Sequence, residues 1–364
     1  MATQATESVT LQQVADAAGV SVSTASRALR GNPAISDVAT AKICRVAKSM
    51  NYQPLRKRKQ RSSDPQPSGE LGLKLNRLAV VTLGMAPSLV SLPAVADSIG
   101  GTEEAVSATG AKLHLLNLPY LKQTPPMSLQ LDGVFLLGAM QGRHVADSSD
   151  PFVQQLLRIP HVWLLGRPEG CSGDAVGAGD VQLGSMAADY LADRGHRDVA
   201  FVGPKPDHLL MMRREGGFLS QAIRRGLNVE RFVESPTQGW TVPVKPPLTT
   251  DSVQALIDQM LESEKPITAI FAASDSVAAM CYRALAVRGL QVGKDMSVIS
   301  GNNDTAIIQS LYPSLTTFDI HARDLGLLAV SQLAARLSTG NKLPDVEISL
   351  EPTLVEGESV RSLL

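Results

Sequence analysis

Ser21, Val22, Ser23, Thr24, Ser26 and Arg27 place small hydroxyls, one apolar group and one guanidinium on what reads as a single short helix. Groups of this kind can meet base edges. Arginine binds guanine O6 and N7 together, serine is permissive, and valine can meet only thymine methyls. A second set, Arg56, Lys57, Arg58, Lys59 and Arg61, forms a basic arm. Such an arm can follow phosphates or enter a narrow A·T-rich minor groove, and a solvated linker with nonspecific charge is the alternative. Catalytic chemistry has no comparable carrier: the chain has no G-x-S-x-G elbow, P-loop, H-E-x-x-H or paired zinc ligands, and Gly177-Ala-Gly179 lacks a third glycine in register. Cys44, Cys171 and Cys281 are odd in number and lack metal-ligand spacing. They point to reduced thiols in the cytoplasm and to no metal.

Three helices must position these groups. The first opens at Thr10, with Gln13 three residues on in a capping-box pattern, continues through Leu11, Val14, Ala15 and Ala18, and stops at Gly19. Ser21 can cap the second, over 22–29, which Gly31, Asn32 and Pro33 break. Ser36 caps a third, carrying Val38, Ile43, Val46, Ala47 and Met50 toward a small core. A glycine-containing turn between two short helices is the helix-turn-helix pattern, whose second helix lies in the DNA major groove.

Charge divides the chain in the same way. Residues 1–63 hold ten Lys/Arg against three acidic residues, a net +7, which leaves −8 on the remaining 301 residues and hides inside a total of −1. A basic module on an acidic body points to nucleic acid at one end, without choosing DNA over RNA. At 364 residues and 44% hydrophobic, the chain can bury a large core in two or three domains. The N-terminus lacks the basic and apolar regions of a secretory signal, and no apolar run reaches a membrane-spanning length. A cytoplasmic, nucleoid-associated protein with no membrane partner is therefore expected.

Past a Pro/Ser/Gly-punctuated linker, short apolar runs at 78–83, 112–116, 133–137, 161–165, 199–202, 269–272 and 296–299 alternate with amphipathic segments at 182–194, 253–262 and 275–288. Apolar strands alternating with helices imply parallel sheets covered on both faces, with ligands beyond the strands' carboxyl ends. Trp163 falls inside one such strand and reads as core; Trp240 lies in a Pro/Gly-rich loop.

The segment "VTLQQVADAAGVSVSTASRALRGNPAISDVATAKICRVAKSMNYQP" closely resembles the DNA-binding headpiece of LacI-type bacterial repressors. "QLGSMAADYLADRGHRDVAFVG", "AIFAASDSVAAMCYRALAVRGLQVGKDMSVISGNND" and "PSLTTFDIHARDLG" resemble, more loosely, the effector domain of the same family. The resemblance implies a helical headpiece on a two-lobed α/β body with three crossovers, like periplasmic sugar-binding proteins. It implies a headpiece over 1–54, a hinge over 55–76, lobe one over 77–165 with 320–345, and lobe two over 166–319 with 346–359. Val22, Ser23 and Arg27 would read bases, with Ser26 and Tyr52 in the same DNA-binding set; Thr10, Ser21, Thr24 and Asn32 would position phosphates, and Arg56, Lys57 and Arg58 would form the hinge arm. The family's hinge leucine is replaced by basic residues, and the segment between 118 and 130 is short for the helix the family places there.

By the same resemblance Arg214, in an R-x-x-G-aromatic setting, would clamp an effector's hydroxyls or carboxylate, with Ser274 and Asn303 beside it. The family's A-N-D is Ser274-Asp275 here, and its Gly-aromatic-Asp-Asp is Gly301-Asn302-Asn303-Asp304. Asp275 is expected to cap the helix that begins there, and His196 to be a packed or capping histidine. The expected molecule is a dimeric repressor of a double-stranded, pseudo-palindromic operator, modulated by a sugar-like small molecule and using no cofactor. A DNA-binding regulator whose cleft is vestigial or protein-facing is the alternative.

Overall fold

The structure is a computed structural model that describes residues 9–29, 35–50, 52, 77–121, 130–205, 207–235, 241–245, 250–339 and 343–364. The chain divides into two units, 1–66 and 67–364. The basic linker over 55–76, with Arg56, Lys57 and Arg58, lies outside the described residues, as do Asn32 and Trp240.

The N-terminal unit is three helices, α1 (Leu11–Ala18), α2 (Val22–Leu29) and α3 (Asp37–Ser49). The capping box forms: the Thr10 amide donates to Gln13 Oε1 at 2.7 Å and the Gln13 amide to Thr10 Oγ1 at 3.4 Å. Gly19, at φ 66°, closes α1 in the left-handed conformation that glycine reaches without a Cβ penalty. Ser21 caps α2, its Oγ accepting from the Thr24 amide at 3.1 Å. Ala15, Ala18, Ala25, Ala28 and Ile43 form the buried core, with Leu11, Val20, Val22, Leu29, Ile35 and Val46 packed around it. Four alanines let the helix axes approach closely. Val38 departs from expectation: it is 83% exposed. Five residues at ~100° each turn it about 140° around the helix from buried Ile43.

The larger unit holds two six-stranded sheets. In chain order its elements are β1 (Arg77–Leu83), α4 (Pro93–Thr109), β2 (Lys112–Leu118), β3 (Gly133–Gly138), α5 (Pro151–Leu156), β4 (His161–Leu164), β5 (Asp174–Ala178), α6 (Asp180–Asp193), β6 (Asp198–Gly203) and α7 (Leu209–Arg225). There follow β7 (Asn228–Val233), α8 (Thr250–Leu261), β8 (Ala269–Ala272), α9 (Asp275–Val287), β9 (Ser297–Asn302), α10 (Thr305–Ile308), β10 (Thr316–Asp319), α11 (Ala322–Thr339), β11 (Glu347–Leu350) and β12 (Thr353–Val355). The sheet of lobe one runs β11-β5-β4-β3-β1-β2, and that of lobe two runs β12-β10-β9-β8-β6-β7. All pairings are parallel except β10 with β12.

This topology moves the expected lobe boundaries. Lobe one was expected to end at 165 and its second piece at 345, yet β5 pairs with β4, and β11 pairs with β5. Both strands therefore belong to lobe one, and the chain crosses after Ala178, Asp319 and Leu350. The cause is Asp174, fully buried, which accepts from Arg336 Nε at 2.8 Å, Gln332 Nε2 at 2.8 Å and the Val346 amide at 2.9 Å. Burial raises the Asp174 carboxyl, but these donors outweigh it and hold the group below its usual range.

Two helix pairs are drawn together by reciprocal glycines. A Cβ on Gly101 would stand 2.0 Å from the Arg323 carbonyl oxygen, and one on Gly326 would stand 2.1 Å from that of Ser98, so α4 and α11 meet backbone to backbone. Gly184 and Gly217 do the same for α6 and α7, at 2.0 Å from the Arg214 carbonyl oxygen and 1.9 Å from that of Val181. The second pair fixes where Arg214 stands.

Candidate functional site

On the helical unit, Ser21, Ser23 and Arg27 are exposed along one side of α2, and Thr10 is exposed at the start of α1. Thr24 and Ser26 are half-buried. The Ser21 hydroxyl already serves as a cap and lies 2.8 Å from Thr24 Oγ1 and 3.0 Å from Ser23 Oγ. Val22 packs partly against the core, so only part of it is free to meet a thymine methyl. Tyr52 is half-buried, its amide donating to the Ala47 carbonyl at 3.0 Å.

In the larger unit a cleft of about 370 Å³ opens between the lobes. It lies beyond the carboxyl ends of the strands, where open α/β sheets bind ligands. Its lobe-one wall includes Met85, Leu89, Leu92 and Met140; its lobe-two wall includes Leu210, Met211, Met280 and Arg214. Among the described residues that line it there is no Phe, Tyr or Trp. The Leu209 amide donates to the Met140 carbonyl at 3.2 Å, and Arg213 Nη1 donates to Glu347 Oε1 at 2.9 Å, so α7 of lobe two is tied to lobe one beside the cleft.

Arg214 is buried and its donors are largely committed within the protein. Nε donates to Asp180 Oδ1 at 2.8 Å, Nη1 to the carbonyls of Ala273 at 2.9 Å and Gly301 at 3.3 Å, and Nη2 to Asn302 Oδ1 at 2.8 Å. A guanidinium has five N–H donors, so one remains for a ligand. Burial pushes the Asp180 carboxyl up, and the adjacent Arg214 offsets this only in part.

Of the three expected effector residues, Arg214 and Ser274 line the cleft and Asn303 does not. Asn303 turns away and donates from Nδ2 to Asp319 Oδ2 at 3.0 Å. Positive φ angles at Asn302 and Asn303, 144° and 59°, reverse the chain after β9 and leave Asn302 facing the cleft. Ser274 is the N-cap of α9, its Oγ accepting from the Val277 amide at 3.5 Å. The cap is therefore Ser274 rather than Asp275, which is buried and accepts instead from Thr317 Oγ1 and the Asp304 amide, each at 2.7 Å, and from Ser300 Oγ. His196 is packed, within 2.8 Å of Thr268 Oγ1, and burial lowers its pKa. Trp163 is fully buried.

Sequence reasoning passed over Asp180, His208, Lys245, Asn302 and Asp304 in the lining. The available signal was position: several follow directly on a strand's carboxyl end. Burial lowers the His208 pKa to about 4, with Arg214 adding to the shift, so the ring is neutral. Burial raises Asp304 to about 6; Asn302 opposes the shift, Asp275 and Asp97 of α4 add to it, and Arg214 opposes it. Because the folded pKa lies above the ordinary 3.8, the fold favours protonated Asp304. That contribution is present below about pH 4 and is lost as pH rises through about 6. The Asp304→Asn variant should accordingly gain about 1–3 kcal/mol on the wild type between pH 4 and pH 7. Urea unfolding across that range measures the gain, and a pH-independent difference would refute the assignment.

A helical unit with an exposed hydroxyl-and-arginine face, carried with a two-lobed body and an inter-lobe cleft, defines the class of DNA-binding regulators built on a periplasmic-binding-protein-like scaffold. The model for bacterial regulatory proteins of the lacI family matches residues 10–54, and the periplasmic binding protein-like domain matches 188–360. The chain is 27% identical to the ribose operon repressor of Escherichia coli K12 over 353 residues, 95% of this chain and 98% of that one. It is 26% identical to the probable transcriptional repressor ExuR of Bacillus subtilis, over 91% of this chain and 92% of that one. In fold it is similar to the lac repressor dimer bound to operator and the anti-inducer ONPF, at a TM-score of 0.62 and 20% identity, covering 98% of this chain and all of that one. The CelR–cellobiose complex gives a TM-score of 0.62 at 22% identity, covering 96% of this chain and 99% of that one.

The protein belongs to the LacI family: it is a DNA-binding transcriptional regulator with a periplasmic-binding-protein-like body, and not an enzyme. No helix among the described residues is long and apolar enough to cross a membrane.

Proposed function

We propose that this protein is a repressor that binds a pseudo-palindromic operator as a homodimer and responds to a small molecule in the inter-lobe cleft. The observation that carries the reading is the α2 face, where Ser23 and Arg27 are exposed on a helix anchored through buried Ala25 and Ala28. Two such helices related by a dyad would read two half-sites about one helical turn apart, so protein symmetry would be mirrored in the operator. The similar lac repressor structure is a dimer on its operator, which supports this arrangement. Ser21 and Thr24 hydroxyls and the α1 start at Thr10 suit phosphate positioning. A cleft ligand that prefers one inter-lobe closure would shift the operator-binding equilibrium by its differential affinity.

Capture of bound genomic fragments by the purified protein at near-physiological salt tests the operator reading, and a shared dyad motif is the expected result. Arg27→Ala should then relax discrimination at one position of each half-site by about 1–3 kcal/mol. Equal losses on every sequence would place Arg27 on phosphate and remove it from base reading. The near-complete internal use of the Arg214 donors favours a second reading, in which operator binding is independent of effector. That reading holds if no metabolite extract changes operator affinity.

A further inference from the structure

The polar groups of the cleft are mostly occupied by one another. Asn302 accepts from Arg214 through Oδ1 and donates from Nδ2 to Asp304 Oδ2 at 3.1 Å. Asp180 receives Arg214 Nε, and Ser274 Oγ receives the Val277 amide. What remains open to a ligand is mostly hydrocarbon and thioether, from Leu89, Leu92, Met140, Leu210, Met211 and Met280, beside Gln141, Ser276 and one Arg214 donor. A free sugar places a hydroxyl on nearly every carbon, and each one needs a partner when water is removed. Free sugars also gain from an aromatic face under their C–H bonds, and the described lining contains no Phe, Tyr or Trp. The second condition is not met, and few polar groups are left for the first.

One charge in the cleft stands apart. Lys245 lines it, is exposed, and pairs with no carboxylate among the described residues. It is held at the lobe-one rim because Val244 bridges to the end of β1: the Ala86 amide donates to the Val244 carbonyl at 2.8 Å, and the Val244 amide to the Gly84 carbonyl at 2.7 Å. A further polar atom faces it across the cleft, a donor in one imidazole tautomer and an acceptor in the other. His208 Nδ1 is shielded from solvent and has no hydrogen-bond partner.

From these observations, and resting on the effector reading above, we propose that the cleft takes a small apolar carboxylic acid rather than a free sugar. The carboxylate pairs with Lys245, and the hydrocarbon body lies along the methionine–leucine walls. A cavity of about 370 Å³ is at the small end of the ~300–1,000 Å³ range of ligand sites. Unbranched thioether side chains adapt to a flexible tail better than rigid walls do.

The test is calorimetric titration of the full-length protein with octanoate, its neutral match octanamide, ribose and cellobiose, repeated on Lys245→Gln. Octanoate should bind at least tenfold more tightly than octanamide, the two sugars should not bind, and the variant should bring octanoate down to the octanamide level without altering octanamide. Sugar binding without octanoate binding would overturn the ligand class and leave the effector reading standing. Octanoate binding that the variant leaves unchanged would be nonspecific partitioning and would also overturn it. Failure of all four probes to bind overturns the proposal. The effector reading fails separately, if operator affinity responds neither to these probes nor to a metabolite extract.

Discussion

Gly184→Ala should lower the stability of the larger unit by about 3 kcal/mol, the upper end of what overpacking costs. The methyl group would stand 2.0 Å from the Arg214 carbonyl oxygen and 2.7 Å from the Phe218 amide nitrogen. Both are backbone atoms of α7, so no side-chain rotation relieves the clash and the helix must move. Arg214 moves with it, and its hydrogen bonds to Asp180, Ala273, Gly301 and Asn302 cannot all survive. The variant should therefore lose effector response while its N-terminal unit still binds DNA. Gly216→Ala is the matched control. Gly216 is exposed on the same helix, and a Cβ there meets nothing within 4 Å. It should stabilise by up to about 1 kcal/mol through helix propensity alone. Denaturant unfolding of the two variants checks the pair, and equal effects would mean that the close approach of α6 and α7 is not what positions Arg214.

How much of this could be read beforehand depended on how local the determining physics is. The helical unit was legible almost to the residue, because Thr10, Gln13, Gly19, Ser21 and Ser36 act within four positions of themselves. Val38 departs because its apolar type outweighs its spacing, which already sets it about 140° around the helix from Ile43. Strands β1, β3, β6 and β8 stood out as continuous apolar runs, since both faces of a parallel sheet are covered. β5 did not. Its sequence, Asp-Ala-Val-Gly-Ala, opens on a carboxylate that Arg336, Gln332 and the Val346 amide, some 160 to 170 residues later, make tolerable inside the core. β7 and β11 alternate polar and apolar residues at or near sheet edges and were passed over for the same reason that edges differ from centres. The missed strand β5, with β11 beside it, is what displaced the lobe boundary. In the cleft, Arg214 and Ser274 were legible by motif, whereas the choice between Asn302 and Asn303 turned on two positive φ angles that no spacing encodes.

Asp275→Ala should cost about 3–5 kcal/mol, because it leaves three buried donors unpaired at about 1–3 kcal/mol each, less than additively. The carboxylate is fully buried at the first position of α9, where the helix dipole favours negative charge. It receives Thr317 from β10, Ser300 from β9, and the Asp304 amide from the loop between β9 and α10. Each hydrogen bond to a charged acceptor is worth about 1.5–3 kcal/mol, and the three are not additive because they share one group. Removing the acceptor leaves two hydroxyls and an amide facing an empty, dry site. The amide matters most for function, because it fixes the loop that presents Asn302 and Asp304 to the cleft. Asp275→Asn keeps the volume and one acceptor oxygen, but directs an amide group toward donors, so it should recover less than half of the lost stability. The two variants separate shape from charge. If Asn restores full stability, packing rather than the carboxylate holds the loop, and the Asn302–Arg214 contact should then survive in Asp275→Asn and be lost in Asp275→Ala.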